Sequence, residues 1–114
     1  MEIRSKIWLE ENGETVFGSG RRALLEGIEQ QGSINKAAQN IQISYRKALS
    51  YIQSMEERLG VSLVERKTGG KDGGGALLTK EARDLIKKYT LLEEGVNEII
   101  DRKFSAVFSV RKKR

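Results

Sequence analysis

The chain has 114 residues and a formal net charge of +5, and it contains no cysteine, histidine or proline. A chain of this length suits one domain with a modest core. Without cysteine and histidine, most acid–base, nucleophilic and transition-metal chemistry lacks its usual side chains, so we expect no enzyme activity, no metal and no cofactor. No apolar run in the sequence has the length of a membrane span, and the lack of disulfides fits the reducing cytoplasm, where we expect the protein.

The positive charge is concentrated at the C-terminal end. Residues 102–114 hold six lysines and arginines and no acid, and subtracting these six from +5 leaves −1 for the remainder. An interaction with nucleic acid must therefore depend on where the other cations cluster. The basic tail itself is equally consistent with nonspecific affinity for phosphate and with a frayed, solvated end.

The first predicted elements are a hairpin and a helix. Lys6–Glu11 and Glu14–Phe17 are rich in apolar residues, and the Asn-Gly pair between them is a strong signal for a tight turn. A helix over Ser19–Gln31 follows, because its leucines and isoleucine form one stripe.

Two helices separated by a short turn come next. Ser33 can cap a helix over Ile34–Asn40, and Ser44 can cap a longer one, because a serine hydroxyl accepts a hydrogen bond from a free N–H of the first turn. Gly60 ends the second helix at the position that glycine favours. The predicted buried face of this helix consists of Tyr45, Ala48, Ile52, Met55 and Leu59, which are spaced three and four residues apart.

The distribution of charge in these two helices is unusual. No acidic residue occurs between Glu29 and Glu56, although the first turn of a helix normally favours acids. Lys36 follows the first helix start, and Arg46 and Lys47 follow the second, an arrangement that is unfavourable in isolation and favourable beside phosphates. An ordinary solvated helical face is the alternative. The predicted DNA contacts of the two helices are Ser33, Lys36, Ser44, Tyr45, Arg46, Lys47 and Ser50.

A glycine-rich hairpin follows the second helix. Val61–Lys67 suits a half-buried strand, Leu77 and Leu78 suit its return partner, and Thr68–Gly75 would join them as a wing whose backbone can approach phosphate closely. A P-loop is disfavoured, since the Gly-Lys pair is followed by Asp72 rather than by serine or threonine. A floppy hairpin without contacts is the more serious alternative. The predicted DNA contacts of the wing are Arg66, Lys67, Thr68, Gly69, Gly70 and Lys71.

A long helix ends the predicted architecture. Thr79 can cap a helix that runs to about Phe104 and spans about 37 Å at 1.5 Å per residue. This is longer than a small domain needs, so we favour a dimerisation helix over one that packs only on its own core. Phe104–Val110 fits either a short strand or a continuing helix. The predicted dimer interface is Leu85, Tyr89, Leu92, Val96 and Ile99.

Three motifs resemble the DNA-binding half of the molybdate-responsive regulators, the ModE family. They are Ile43-Ser44-Tyr45 at the start of the second helix, Leu63–Arg66 in the strand, and Thr68–Lys71 leading into further glycines. The similarity to LysR-type regulators is looser, and the wing sequence favours ModE. Full-length members carry C-terminal domains that bind molybdate. Because this chain ends at Arg114, we expect a single-domain version that does not bind molybdate.

Together these patterns predict an α+β fold, a winged helix-turn-helix with an N-terminal hairpin and a long C-terminal dimerisation helix. The expected division is a DNA-binding domain over residues 1–104, which includes the helix at about 79–104, and a basic tail over 105–114. The expected function is that of a transcriptional regulator that binds double-stranded DNA as a homodimer on an inverted repeat, without contact with a membrane. The alternative is a winged-helix module that binds protein or RNA, since fold alone does not fix function.

Overall fold

The computed structural model describes residues 1–67 and 75–108. Its four helices and two antiparallel hairpins confirm the predicted α+β class. In chain order the elements are β1 (Leu9–Glu11), β2 (Glu14–Phe17), α1 (Ser19–Gln31), α2 (Ile34–Asn40), α3 (Tyr45–Leu59), β3 (Val64–Lys67), β4 (Gly75–Leu78) and α4 (Lys80–Phe108). None of the helices in these ranges combines the length and the apolar character needed to cross a membrane.

The N-terminal hairpin turns at Asn12 and Gly13, both of which have positive φ angles, as the predicted turn type requires. Strand β1 begins at Leu9, so the prediction that the strand starts at Lys6 is wrong. The reason is that the chain before Leu9 is held by α4 instead of by β2. The Tyr89 hydroxyl donates to the Ile7 carbonyl at 2.8 Å, and the pairing of β1 with β2 is already irregular between Leu9 and Glu10.

Helices α2 and α3 form a helix-turn-helix with the predicted bounds. Gln42 takes a positive φ in the turn, and the Ile43 N–H donates to the Ala38 carbonyl at 3.0 Å. Ile41 and Ile43, on either side of Gln42, both pack against the core and anchor the turn. The close approach of α1 to α2 depends on Gly27, since a Cβ added there would lie 3.0 Å from the Ala37 Cβ.

The buried face of α3 is shorter than the sequence pattern predicts. Ala48, Ile52 and Met55 are buried, whereas Tyr45 is 44% exposed and Leu59 is 38% exposed. The apolar periodicity continues to both ends of the helix, but the neighbouring elements of the core cover only its middle. The prediction of burial for Tyr45 and Leu59 is therefore wrong, and the Tyr45 ring is available to a partner.

The wing is fastened to the helices by side chains on both sides. Strand β3 begins at Val64, and not at the predicted Val61, because the Glu56 carboxylate accepts from the N–H groups of Leu63 and Val64 at 2.7 and 3.2 Å. The Thr79 hydroxyl donates to the Ser62 carbonyl at 2.7 Å and accepts from the first turn of α4 at 3.1 Å. The predicted wing contacts Thr68, Gly69, Gly70 and Lys71 lie outside the described residues.

Helix α4 is longer than predicted and partly buried. It is helical through Phe108, so residues 105–108 belong to the helix and not to a separate tail or strand, while the basic residues 111–114 lie outside the described residues. The extra length follows from an uninterrupted helical pattern that contains no proline. The helix joins the core through Ala82 and Tyr89, both buried.

Tyr89 is not part of a surface that a partner could cover. Only 1% of this residue is exposed, and its ring meets the Phe17 ring edge to face at 5.1 Å. The prediction that Tyr89 belongs to a dimer interface is therefore wrong: the side chain is used inside the protomer, where it ties α4 to the N-terminal hairpin.

Candidate nucleic-acid interface

The start of α3 presents a compact group of polar and cationic side chains. The Ser44 hydroxyl accepts from the Lys47 N–H at 3.0 Å, which is the predicted cap and fixes where the helix begins. Tyr45, Arg46, Lys47 and Ser50 are all exposed. No acid lies in the first turn, so the positive end of the helix dipole and the added cations are not neutralised locally.

Helix α2 repeats the same arrangement on a smaller scale. The Ser33 hydroxyl accepts from the Lys36 N–H at 3.2 Å, and the Lys36 side chain is exposed. Within residues 1–67 and 75–108, neither Lys36 nor Arg46 nor Lys47 forms a salt bridge. Three cations without carboxylate partners therefore lie on the helix-turn-helix, and an anionic partner would be stabilised there.

The described part of the wing adds two further cations. Arg66 and Lys67 are exposed on β3, opposite Ala76 and Gly75 of β4. Neighbouring residues of a strand point to opposite faces, so only one of the two can face the same way as the helix-turn-helix. Glu65 is also exposed, so the cationic character of this strand is confined to its end near the wing tip.

The wing and the N-terminal hairpin lie on opposite flanks of α3. Glu56 binds the start of β3, and Arg58 forms an ion pair with Glu14 of β2. Side chains two positions apart on a helix, such as those of Glu56 and Arg58, are separated by about 200° around its axis, so these two contacts point in opposite directions. The exposed face with Arg46 and Ser50 lies between the two flanks.

Sequence reasoning missed one cationic group at this surface. The Arg21 guanidinium lies over the Tyr51 ring, 4.4 Å from its centroid, and the Lys47 ammonium lies 5.7 Å from the same centroid. The spacing of Lys47 and Tyr51, four residues apart on a helix, predicts that these two side chains are neighbours. No local signal points to Arg21, because it is thirty residues away from Tyr51 in the sequence.

The predicted interface on α4 is divided between core and surface. Leu85 packs against the core, Val96 is half-buried, and Leu92 and Ile99 are 46% and 60% exposed. Further apolar side chains are exposed along the helix, and these are Leu91, Val107 and Phe108. From Leu91 onward, α4 thus carries apolar side chains that its own domain leaves exposed.

Comparison with protein families and curated proteins gives consistent matches. Residues 23–83 match the model of the bacterial regulatory helix-turn-helix proteins of the lysR family. The chain is 47% identical over 73 residues to the transcriptional regulator ModE of Haemophilus influenzae, covering 64% of this chain and 29% of that protein. It is 43% identical over 82 residues to the DNA-binding transcriptional dual regulator ModE of Escherichia coli, covering 71% and 31% respectively.

The chain therefore spans about a third of the length of these curated relatives. The resemblance to ModE regulators predicted from the wing and the second helix is confirmed, as is the looser similarity to LysR-type proteins. These relatives are transcriptional regulators, which is a class of protein without enzyme activity.

Solved structures agree on the fold. The crystal structure of the CbnR_DBD–DNA complex superposes with a TM-score of 0.57 at 20% identity, covering 77% of this chain and 95% of that one. The BenM_DBD complex with benA site 1 DNA gives a TM-score of 0.54 at 22% identity, covering 77% and 93%. The winged helix-turn-helix predicted from the sequence is thereby confirmed.

Proposed function

The chain belongs to the lysR family of bacterial regulatory helix-turn-helix proteins, and from this we propose that it is a transcriptional regulator that binds double-stranded DNA in a sequence-specific manner. We further propose that it binds as a homodimer to an inverted repeat and acts in the cytoplasm, where a bacterial regulator meets its DNA. The relatives named ModE are described as transcriptional regulators, and one of them as DNA-binding.

The first turn of α3 carries this proposal. Its exposed residues Tyr45, Arg46 and Lys47, with Ser50 in the next turn, combine hydrogen-bond donors with positive charge on the face of the helix between the wing and the hairpin. The major groove admits one α-helix, whose N-terminal residues then meet the edges of the bases. Ser33 and Lys36 at the start of α2 would contact the backbone, together with whichever of Arg66 and Lys67 on β3 faces the helix-turn-helix. The same role is proposed for Thr68–Lys71.

A protein-binding surface would have a different composition. Apolar and aromatic anchors form the centre of most protein interfaces. The exposed face of α3 offers arginine, lysine, serine and glutamine over residues 45–53, with Tyr45 at one end, and the exposed Glu57 and Leu59 lie in its last turn, away from this group. This distribution favours a polyanion over a protein partner.

The dimer proposal depends on α4. Leu92 and Ile99, with Val96 between them, form the part of the predicted interface that remains accessible in the protomer. Two copies related by a two-fold axis along this surface would place two copies of α3 on half-sites one helical turn apart, or a multiple of it. The operator would then be an inverted repeat.

Selection from a pool of random duplexes tests the function without knowledge of the operator. The unmodified chain is expected to enrich one motif with two-fold symmetry and to bind it at least about a thousandfold more tightly than unselected duplex. Molybdate added to the selected complex is expected to leave the affinity unchanged. Enrichment of no motif, or tighter binding to RNA of the same sequence, would contradict the proposal.

A further inference from the structure

A cleft of about 290 Å³ lies beside α3, on the flank away from the wing. The start of α1, the N-terminal segment, β2 and α3 all contribute to its lining. The lining residues are Lys6, Trp8, Thr15, Arg21, Tyr51 and residues 18–20. The cleft is therefore built from four parts of the chain, and it is continuous with α3 through Tyr51.

Three cations surround the Tyr51 ring and this cleft. Arg21 and Lys47 approach the ring at 4.4 and 5.7 Å, and Lys6 lines the opening. None of the three forms a salt bridge within residues 1–67 and 75–108. The Glu10 carboxylate is also nearby, since it accepts from the indole N–H of Trp8 in the lining at 2.6 Å, but the three cations outnumber it. The arrangement therefore favours a negatively charged occupant.

The guanidinium of Arg21 is held beside Tyr51 but lacks a hydrogen-bond partner at its Nε atom. Its Nε atom is buried and has no hydrogen-bond partner among the described residues, and the group lies over the Tyr51 ring, which supports it from one side. Arg22, the next residue, behaves differently, since it donates to the Glu93 carboxylate at 3.0 Å. An arginine that is supported by an aromatic ring and lacks a carboxylate keeps its terminal N–H groups free for an oxyanion.

The cleft also lies where the backbone of bound DNA would pass. Lys47 belongs both to the exposed start of α3 and to the Tyr51 cluster, so one side chain joins the proposed base-contacting surface to the cleft. The wing occupies the opposite flank, as the contacts of Glu56 and Arg58 show. A helix in the major groove has a phosphate strand on each side, and the wing can reach only one of them.

We propose that Arg21, Lys6 and Lys47 around Tyr51 form a second backbone clamp, which binds a DNA phosphate on the side of α3 opposite the wing. This rests on the proposed function and adds to it a contact made by α1 and the segment before the N-terminal hairpin. The start of α1 supports the same contact, because its first turn has neither an acid nor a side-chain cap.

The salt dependence of DNA binding tests the clamp. Arg21→Gln is expected to weaken binding to the duplex selected by the unmodified protein about tenfold. It should also reduce the slope of log affinity against log salt by about one unit. Lys6→Gln, at an exposed position, is expected to reduce the slope without any change in unfolding temperature, so a folding defect of the Arg21 variant cannot account for the result. Lys87→Gln is the matched control: it removes the same charge from an exposed position on α4 and should leave the slope unchanged.

A series of duplexes, in each of which a neutral methylphosphonate replaces one phosphate, locates the contact. The unmodified protein should lose affinity when the phosphate facing the cleft is neutral, and Arg21→Gln should be insensitive at that position alone. Equal sensitivity of both proteins at every phosphate would overturn the clamp, as would an equal loss of slope in Lys87→Gln. Binding of inorganic phosphate that Arg21→Gln abolishes, with the DNA slope intact, would instead assign the cleft to a small anion. If the unmodified chain selects no duplex at all, the proposed function is wrong, and the clamp that rests on it is wrong as well.

Discussion

Arg46 is the side chain in α3 with the best geometry for contacting a base. It is exposed, it lies in the first turn, and unlike Lys47 it makes no contact with the Tyr51 ring. A guanidinium can donate two parallel hydrogen bonds to guanine in the major groove, which contributes about 1–3 kcal/mol of discrimination between bases. Arg46→Ala should therefore bring the affinities for selected and scrambled duplexes closer together by about ten- to a hundredfold.

Competition between the two duplexes in a gel-shift titration measures this effect. Lys87→Ala removes a charge from α4 and should preserve the full ratio. Should Arg46→Ala retain the ratio of the unmodified protein while losing only absolute affinity, Arg46 contacts phosphate and not a base.

Tyr89 predicts a pH dependence of stability. Burial raises the pKa of its phenol above the ordinary value of 10.0, and the nearby Glu93 carboxylate raises it further, against a smaller opposing effect of Arg22. Because the folded-state pKa is raised, the contribution of the neutral phenol is complete below pH 10.0 and is lost as pH rises through the folded-state value.

Tyr89→Phe should remove that contribution together with the hydrogen bond to Ile7. We expect the variant to unfold about 0.5–1.5 kcal/mol more easily at pH 7. The difference from the unmodified protein should shrink as the pH is raised above 10.0. Urea unfolding at a series of pH values measures both quantities. A difference that stays constant into the alkaline range would show that the phenol does not titrate differently in the folded state.

At the scale of elements, the crossing of α1 and α2 is fixed by Gly27. An added Cβ would meet the Cβ and Cα of Ala37 at 3.0 and 3.3 Å, and neither atom can move without the backbone of α2. Gly27→Ala should therefore destabilise the protein by about 1–3 kcal/mol, although alanine favours helix formation. Gly20→Ala, also in α1, has no atom within 4 Å of the added Cβ and should be neutral or stabilising. Thermal unfolding of both variants tests this prediction, and equal shifts in their unfolding temperatures would contradict close packing of α1 on α2.

The helices were predictable because their signals are local. The serine caps at Ser33 and Ser44 and the glycine at Gly60 fix the ends of α2 and α3 within a few residues of sequence. Burial at the ends of α3 was not predictable, because Tyr45 and Leu59 continue the periodic pattern beyond the core that would cover them. Periodicity reports which residues share a face, and the extent of the neighbouring elements decides whether that face is covered.

The candidate site residues likewise include some that local sequence predicts and some that depend on tertiary packing. Arg46 and Lys47 could be selected from the acid-free stretch, since charge and cap both lie within one helix turn. The pairing of Arg21 with Tyr51 depends on how α1 meets α3, which no local pattern encodes. Tyr89 fits a heptad repeat equally well as a core residue and as an interface residue, and only the position of Phe17 decides between them.

On the scale of the whole molecule, α4 extends well beyond its own domain. The protein measures 59 × 34 × 24 Å, and the last hydrogen bond between α4 and the rest of the described residues joins Ser5 to Asn97 at 2.8 Å. Exposed apolar side chains continue after this point with Ile99, Val107 and Phe108. A surface of this kind on a helix that projects from the domain favours pairing with a second copy.

Leu92→Glu should separate such a dimer. A carboxylate buried in an apolar interface without a partner is expected to raise the dissociation constant at least about a hundredfold, or roughly 3 kcal/mol. Sedimentation at micromolar concentration measures the change, and the monomer should bind the selected duplex much more weakly. Lys87→Glu places the same acid on the opposite face of α4 and should remain dimeric. An unmodified protein that sediments as a monomer and still binds the duplex tightly would rule out the dimer.

The Thr79 hydroxyl makes two hydrogen bonds that connect the segment before the wing with the start of α4. One hydroxyl is bonded to the Ser62 carbonyl, just before β3, at 2.7 Å and to the first turn of α4 at 3.1 Å, so the entry to the wing and the start of the long helix share one side chain. Because Ala82 and Tyr89 of the same helix are buried in the core, α4 cannot rotate about its own axis without repacking that core. The entry to the wing and the start of this 29-residue helix are therefore held in one fixed relation to the core, so pairing through α4 would also fix the position of the entry to the wing relative to the second copy.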